Sequence, residues 1–392
     1  MFYERVQGND TYNINTTPPF SYEPSANSVY FSNPNTSSLT GTTATLPFAP
    51  ASLTNERTYY PNPGTAQFSL GIQRELAPSI VGQVGYVGTT GWNQNDLREI
   101  NDLPLSDIAD RKNVVVNSAN SNFSRPFQGF SNIRQEENMQ SFSYHSLQAA
   151  LRLEERHGFS AQFSYTYSHE IDIQSADLTS DTLAGSGGTL SNPYNARYDH
   201  GSGGFDRRHI FNMNYIYSLP FFKHSGNELA RQALGGWQIA GVSVFESGVP
   251  VNIYYNGPDK LGLGGNTANR PNFVSKVKYA KKQDDWFSGH ASFADPIAPW
   301  EAGASSTTTG FGNASKDAVV GPGLQNWNIS IYKEFALTSH EGPRFQFRAE
   351  SYNTFNHTEF NALDTGTNDS NYGKITSTND PRVLQFGGKF LF

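Results

Sequence analysis

The most informative segment of the chain is its C-terminal sequence RVLQFGGKFLF, residues 382–392. Read at period two, it predicts a β-strand with one apolar face. That face carries Leu384, Phe386, Gly388, Phe390 and Phe392. Chain ends are usually polar and frayed, whereas this one ends on an aromatic side chain. The apolar face therefore needs a cover up to the last residue, either lipid or the second layer of a soluble β-domain.

The composition favours strands and turns and excludes several classes of function. Among 392 residues there are 28 Phe, 20 Tyr and 36 Gly, and 16% are charged, against about 25% in typical globular domains. The net charge of −7 leaves no basic surplus for phosphates, so no nucleic-acid partner is expected. Because cysteine is absent, disulfide scaffolds and thiol chemistry are excluded.

No apolar run of about 18 residues occurs, so no transmembrane helix is predicted. The mean hydropathy of −0.55 is compatible with a membrane β-barrel, because half of each strand in such a barrel faces a polar lumen and the loops are hydrophilic.

Nine segments are predicted to be strands, and residues 1–8 resemble the top of a tenth strand. The nine lie at about 65–73, 80–88, 147–154, 159–168, 209–217, 237–247, 327–332, 345–350 and 383–392. The segment at 237–247 differs in being apolar on both faces. Short and long connections alternate, apart from one of medium length at 219–235, where residues 227–234 predict one or two helical turns. Short periplasmic turns and long extracellular loops are typical of an antiparallel transmembrane β-barrel.

The clearest hairpin pairs residues 147–154 with residues 159–168 across a short turn at 156–158, and it predicts two unlike faces. An aromatic face suits lipid, and a face of amides and hydroxyls suits a wet lumen. The residues predicted to face lipid are Phe159, Phe163, Tyr165, Tyr167, Phe345 and Phe347. Those predicted to face the lumen are Arg152, Gln162, Ser164, Arg348 and Glu350. Trp237 and Trp327 are interpreted as interface anchors or, equally, as core residues.

The remaining segments are predicted loops. Residues 9–60 are rich in Asn, Thr, Ser and Pro, so the chain divides into a strand end with a long loop (1–60) and barrel strands with their loops (61–392). Other long loops are expected at about 89–141, 170–204 and 357–381, and between residue 248 and the strand at 327. Within the first of these, residues 113–116 are interpreted as a strand extension beyond the bilayer.

No pattern predicts catalysis, a cofactor or a metal site, so an enzyme is not expected. Glycine clusters such as Gly262–Gly265 lack the spacing of a phosphate-binding loop, and no G-x-S-x-G elbow occurs. His200 and His209 lie in an Asp- and Arg-rich segment, for which an ion-pair belt or lumen wall is preferred over a metal site. The segment Asp364–Asp369 offers oxygens to Ca²⁺ but lacks EF-hand spacing.

Two sets of residues carry a resemblance to known families. Gln385, Gly387, Phe390 and Phe392 resemble the C-terminal signal of bacterial outer-membrane barrels, which is read by the barrel assembly machinery. Over about residues 60–392, several phrases occur in the order found in the C-terminal part of a TonB-dependent receptor of the Oar-like subgroup. These phrases are YHSLQ (144–148), FSYTYS (163–168), FDRRH (205–209), LGGWQ (234–238), SGVP (247–250), FRAE (347–350) and NTFNH (353–357).

The resemblance implies a location in the cell outer membrane of a Gram-negative bacterium and a barrel of about 22 strands, of which this chain supplies about nine or ten. It also implies contact with outer-membrane lipid and, in the full-length receptor, a plug domain, TonB and a regulatory-like N-terminal domain. The substrate stays open among small molecules, oligosaccharides and peptides.

The sequence departs from the family at its front, where no signal peptide, TonB box or plug is recognised. We therefore expect a fragment that is not competent for energised transport alone. Two alternatives stay open: a secreted or surface β-domain that binds carbohydrate or protein through its loops, and a small self-contained porin.

Overall fold

The computed structural model describes residues 2–3, 51–59, 61–175, 189–223, 225–265, 269–337 and 342–392. Its centre is an antiparallel sheet in which strands that follow one another in sequence are also neighbours in space. The ten strands are β1 (Phe2–Tyr3), β2 (Gly64–Ala77), β3 (Ile80–Glu99), β4 (Phe130–Arg156), β5 (Phe159–Asp172), β6 (His209–Ser218), β7 (Trp237–Glu246), β8 (Leu324–Ala336), β9 (Arg344–Tyr352) and β10 (Val383–Leu391). The prediction of an all-β antiparallel sheet is confirmed.

All short connections lie at one end of the sheet, the turn end, and all long ones lie at the other, the loop end. At the turn between β4 and β5, His157 and Gly158 have φ values of 54° and 81°. Two positive φ values give the hairpin turn whose twist matches that of the strands. The predicted helical turns between β6 and β7 form helix α2 (Glu228–Leu234).

The sheet is open in the described part of the chain. β1 and β10 lie at opposite edges, and none of their described residues pair with each other. On its outer side, β2 pairs only with Phe2 and Tyr3. Most of the backbone groups along both edges therefore have no partner strand within the described residues.

The predicted loop at 89–141 is wrong in part, because β3 continues through its first residues to Glu99 and β4 begins at Phe130, before its end. Their pairing extends to Glu99 and Arg134, and the strand Ala51–Glu56, inside the loop predicted at 9–60, adds to β4 in parallel. The strand extension predicted at 113–116 is also wrong, because residues Ile108–Val116 form helix α1. Arg111 of α1 is fully buried by other loops, and these tertiary contacts override the β-propensity of three consecutive valines.

The other loops contain short elements rather than irregular chain alone. They are the strand Gly201–Ser202 and the pairs Pro250–Val251 with Val319–Val320, Asn272–Phe273 with Phe293–Ala294, Tyr279–Lys282 with Asp285–Phe287, and Phe360–Leu363 with Ile375–Thr378, together with α3 (Gly289–Ser292) and 3₁₀ turns at Ser121–Phe123 and Ala196–Asp199. Among the described residues, no helix is long and apolar enough to cross a membrane.

The main hydrophobic core lies among the loops and not against the sheet. It is formed by Ile253, Trp286, Phe287, Phe293, Ala314, Val319 and Ile375. By contrast, apolar side chains of the sheet are open, with Leu70 and Phe386 exposed by 74% and 71%. The loops therefore form a packed cap at the loop end, and both faces of the sheet lack a covering layer within the described chain.

Candidate functional site

The strand register sorts the side chains of the sheet into two faces. The six residues predicted to face lipid fall on one of them, the aromatic face: Tyr165 pairs with Phe211, Phe163 with Met213, and Phe345 with Phe390. The five residues predicted to face the lumen fall on the opposite, polar face, where Arg152 pairs with Gln162 and Ser330 with Glu350. Which medium each face meets stays a prediction.

On the aromatic face, large side chains lie over glycines of the neighbouring strand. A Cβ added to Gly241 would come within 2.4 Å of the ring of its cross-strand partner Tyr215, and one added to Gly88 would come within 2.3 Å of Phe68. Rings that cover cross-strand glycines pin the register of a sheet. The register therefore depends on these pairs as well as on the backbone ladder.

Aromatic contacts are concentrated in two rows on this face. The row at the turn end contains the pairs Phe159–Tyr217, Trp237–Phe347, Phe335–Phe345 and Phe345–Phe390. The row at the loop end contains Tyr165–His209, Tyr167–His209, Phe211–Phe245, Phe245–Trp327 and Trp327–Phe355.

Along β7, the rows are separated by the distance from Trp237 to Phe245, about 26 Å at 3.3 Å per residue. Transmembrane barrels carry an apolar band about 25 Å tall between two aromatic girdles, with tilted strands. At a strand tilt of about 35–45°, 26 Å along the strand corresponds to about 20 Å across the membrane, so both rows lie just inside the borders of such a band.

One lysine lies on the aromatic face at the turn-end row. The side chain of Lys333 is 3% exposed and donates to the carbonyl oxygens of Gln232 and Gly235 at the end of α2. Its ammonium lies 5.7 Å from the ring centroid of Trp237 and 4.8 Å from that of Phe335. Cations are stabilised at the C-termini of helices, so Lys333 attaches α2 to the rim of the sheet. Sequence reasoning missed this residue.

At the loop end, the segment containing His200 and His209 forms ion pairs. Asp206 pairs with His169 at 2.9 Å and with Arg208 at 3.1 Å, and Arg207 pairs with Glu246 at 2.9 Å. This is the arrangement of an ion-pair belt. His209 lies on the aromatic face, where its Nδ1 is 2.8 Å from the Tyr165 hydroxyl. In the part of the chain that the structure describes, no cluster of three or more His, Cys, Asp or Glu residues is arranged to hold a metal ion.

The loop cap is held together by buried cations on the connection between β7 and β8, here the central loop (residues 247–323), and on the connection between β3 and β4. Arg111 donates to the carbonyl oxygens of Leu261 at 2.7 Å and Leu105 at 2.9 Å, and it also reaches Thr309. Burial lowers the pKa of its guanidinium, and the carbonyl bonds compensate part of the lost hydration. Arg125 binds the carbonyl oxygen of Gly264.

The central loop also carries cations that reach the connection between β5 and β6. Arg270 pairs with Asp199 at 2.9 Å, and its guanidinium lies 3.7 Å from the ring centroid of Tyr198. Lys316 pairs with Asp172 and donates to the carbonyl oxygen of Ile173 at 3.0 Å. Sequence reasoning missed all four cations, because an isolated Arg or Lys in a polar loop gives no signal of burial.

The connection between β9 and β10 also packs on the central loop. The amide of Trp286 donates to the carbonyl oxygen of Gly373 at 2.8 Å, and the amide of Ile375 donates to Gln283 at 2.7 Å. In the segment considered for Ca²⁺, Asp369 accepts from the Asn256 side chain at 2.6 Å. Burial, and then the charge of Asp369, raises the pKa of Asp364.

The C-terminal residues divide between the two faces. Gln385 pairs with Glu350 and Gly387 with Arg348 on the polar face, whereas Phe390 meets Phe345 on the aromatic face, with ring centroids 4.9 Å apart. Phe392 is fully exposed at the turn end. That these residues act as an insertion signal stays a prediction.

The family model described as "Outer membrane beta barrel domain" matches residues 1–385. No curated protein matches the chain. Among solved structures, the outer membrane transporter YddB from Escherichia coli is 10% identical with a TM-score of 0.46, over 87% of this chain and 34% of that one. FpvA from P. aeruginosa, solved with a heterologous pyoverdine and iron, is 12% identical with a TM-score of 0.36, over 84% and 27% of the two chains. This chain thus spans about a third or less of their length.

Proposed function

The chain belongs to the outer membrane beta barrel domain family, and on that premise we propose that it forms part of the barrel of a TonB-dependent receptor of the Oar-like subgroup. Its location is the cell outer membrane. The proposed role is substrate uptake and not catalysis, and the substrate is a small molecule, an oligosaccharide or a peptide.

The separation of the two faces along the sheet carries this proposal. Hydrocarbon offers no partner for backbone N–H and C=O groups, so a sheet is tolerated there only as a closed barrel. A closed barrel has one apolar side toward lipid and one side toward its lumen. The aromatic face with its two rows of rings fits the first environment, and the polar face fits the second.

The open edges support a segment of a larger barrel over a self-contained porin. An exposed strand edge is a row of unpaired donors and acceptors, which natural proteins pair or cover. Among the described residues, β2 pairs on its outer side only with the two residues of β1. We infer that the rest of this side of β2 and the outer side of β10 pair with further strands of the same receptor. The other proposed partners are outer-membrane lipid, the barrel assembly machinery acting on Gln385, Gly387, Phe390 and Phe392, and a plug domain with TonB for energised release.

Single cysteines test the face assignment, because the chain has no cysteine of its own. Ala149 pairs with Val84 and Tyr165 on the aromatic face, and the next residue, Ala150, pairs with Gln83 and Ser164 on the polar face. In native membranes, we expect a water-soluble maleimide to label Ala150→Cys and to leave Ala149→Cys unlabelled until detergent is added. Equal labelling of the two variants would contradict the proposal.

Two further experiments test which end of the sheet faces outward and whether the protein is embedded in the membrane. In intact cells, an impermeant maleimide is expected to label Ser306→Cys in the central loop and not Lys223→Cys at the turn end. The protein should need detergent for extraction and should resist urea. Release by urea would instead support the secreted or surface β-domain.

A further inference from the structure

Strand β7 differs from its neighbours because it is apolar on both faces. On the aromatic face, its Trp237 belongs to the turn-end row and its Phe245 to the loop-end row. On the polar face, however, it carries Ala240, Val242 and Val244. Ile216 of β6 lies beside them, paired with Ala240. Ile216 and Val242 are 45% and 46% exposed. No described residue covers this apolar strip, which lies on a face of amides and hydroxyls, and exposed apolar patches mark interaction or ligand-binding sites.

The strip forms the floor of a concavity of about 340 Å³ with polar walls. Val242 is paired with Asn214 on one side and with Asn328 on the other. Ala240 is paired with Ser330, whose next partner is Glu350. An apolar floor with a few polar groups around it is the usual composition of a small-molecule site.

Glu350 supplies the only acidic group among the residues that line this concavity. Its carboxylate accepts from the hydroxyl of Tyr352 at 3.5 Å, and no described Lys, Arg or His forms an ion pair with it. Arg348, two residues away on the same face, donates instead to Gln346 at 2.8 Å, toward the turn end. The carboxylate is therefore a half-buried negative charge without a cationic partner in the described chain.

We propose that this concavity binds an amphipathic organic cation, with its aliphatic or aromatic body on Ile216, Ala240 and Val242 and its ammonium or guanidinium group at Glu350. The side-chain amide of Asn214 lies at the edge of the concavity. Asn328 accepts from the backbone amide of Asn353 at 2.9 Å through its side-chain oxygen, which leaves its NH₂ group to donate to the ligand. Ser330 donates its hydroxyl proton to the carbonyl oxygen of Ala240 at 3.3 Å, which leaves its oxygen to accept. The inference rests on the proposed function, because it takes the polar face to line the lumen.

The carboxylate of Glu350 and the aliphatic floor of the concavity together favour an amphipathic cation over other classes of ligand. A sugar is commonly bound through aromatic stacking, and the floor here is aliphatic. An anion would be repelled by Glu350, and a purely apolar solute would leave its carboxylate without a partner. A cation with an apolar body satisfies both parts of the site.

Binding of three matched probes to the full chain in detergent micelles tests the inference. The probes are phenyltrimethylammonium, its uncharged isostere tert-butylbenzene, and benzenesulfonate, each followed by ligand-observed NMR. We expect phenyltrimethylammonium to bind at least about tenfold more tightly than benzenesulfonate, and Glu350→Gln to reduce its affinity about tenfold. Val242→Thr, which keeps the shape of the side chain, should reduce it about threefold.

Two variants on the same face serve as controls. Glu75→Gln removes a carboxylate on β2, and Val87→Thr makes the same change as Val242→Thr on β3, both on the polar face and away from the concavity. We expect these controls to bind within twofold of the original chain. Equal binding of the cation and the anion, an unchanged affinity in Glu350→Gln, or an equal loss in Glu75→Gln would overturn the inference.

Extraction with urea distinguishes a failure of the binding-site inference from a failure of the barrel proposal. If the chain resists urea but shows no selectivity for the cation, the binding site is wrong and the barrel proposal stands. If urea releases the chain from the membrane, the barrel proposal is wrong, and the inference that rests on it fails with it.

Discussion

At the scale of single residues, the turn between β4 and β5 depends on Gly158. Its φ of 81° is rarely adopted by other residues, and an added Cβ would lie 2.9 Å from the carbonyl oxygen of Ser218. We expect Gly158→Ala to lower the free energy of unfolding by about 1–3 kcal/mol, measured by denaturant titration in detergent. Gly226→Ala is the control, because its Cβ would meet nothing within 4 Å and its φ is not in the left-handed region. An equal or larger loss in the control would show that the turn is not the cause.

Lys333 gives a second prediction at this scale. Methionine keeps its length and apolar stem but cannot donate to the carbonyl oxygens of Gln232 and Gly235. We expect Lys333→Met to cost about 1–3 kcal/mol and to speed proteolysis between β6 and β7, as α2 loses its attachment to the sheet. Lys389→Met, on the exposed polar face of β10, should leave the rate unchanged. Unchanged proteolysis in Lys333→Met would mean that α2 is held by other contacts.

The sequence predicts the face of most strand residues but not the partners of Lys333. Alternation at period two is a local property, so it assigns Phe345 and Glu350 to opposite sides without knowledge of the fold. A lysine in an apolar row simply breaks that pattern. Its explanation lies in carbonyl groups about 100 residues earlier in the chain, which only the folded structure brings near.

At the scale of elements, the alternation fails where strands leave the sheet's open faces. Beyond about Trp92 and Gln140, β3 and β4 continue with buried polar residues such as Asp96, Glu136 and Glu137. Loops cover these extensions on more than one side, so apolar and polar residues no longer alternate. Sequence reasoning therefore predicts the alternating part of β3 and β4 and misses their extensions.

Helix α1 forms where the sequence predicts a strand extension, and the contacts of Arg111 account for the difference. Its guanidinium joins three carbonyl groups, two of them from the central loop. We expect Arg111→Met to leave those acceptors unpaired and to raise hydrogen exchange in α1 and at Leu261–Gly262 by a factor equivalent to about 2–4 kcal/mol. Lys112→Met, at the exposed neighbouring position, should not. Protection in α1 that survives Arg111→Met would show that the helix is stable without this anchor.

At the scale of the whole molecule, two bodies with different sources of stability share one chain. The sheet depends on its ladder of strand pairs and on whatever medium covers its aromatic face. The cap depends on its own apolar core and on cations that connect the central loop to the β3–β4 and β5–β6 connections. Backbone hydrogen bonds connect the central loop to the β9–β10 connection. The cap is thus one packed unit carried at the loop end of the sheet, and its contacts are between residues far apart in sequence. No local pattern predicts it.

The pair Arg270–Asp199 tests whether the cap behaves as one unit. Both side chains are almost fully buried, and Arg270 also covers the ring of Tyr198. Removing one partner of a buried ion pair costs about 3–5 kcal/mol, because the other charge is left uncompensated. We therefore expect Arg270→Met to raise hydrogen exchange at Ala196–Asp199 and across the central loop, while exchange in β5–β9 stays unchanged.

Arg197→Met, which changes an exposed arginine in the same 3₁₀ turn, is the matched control. Adding Asp199→Asn to Arg270→Met should restore part of the protection, since no charge then stays buried alone. Increased exchange confined to Ala196–Asp199 would contradict the cooperative cap, and increased exchange in β5–β9 would contradict its independence from the sheet.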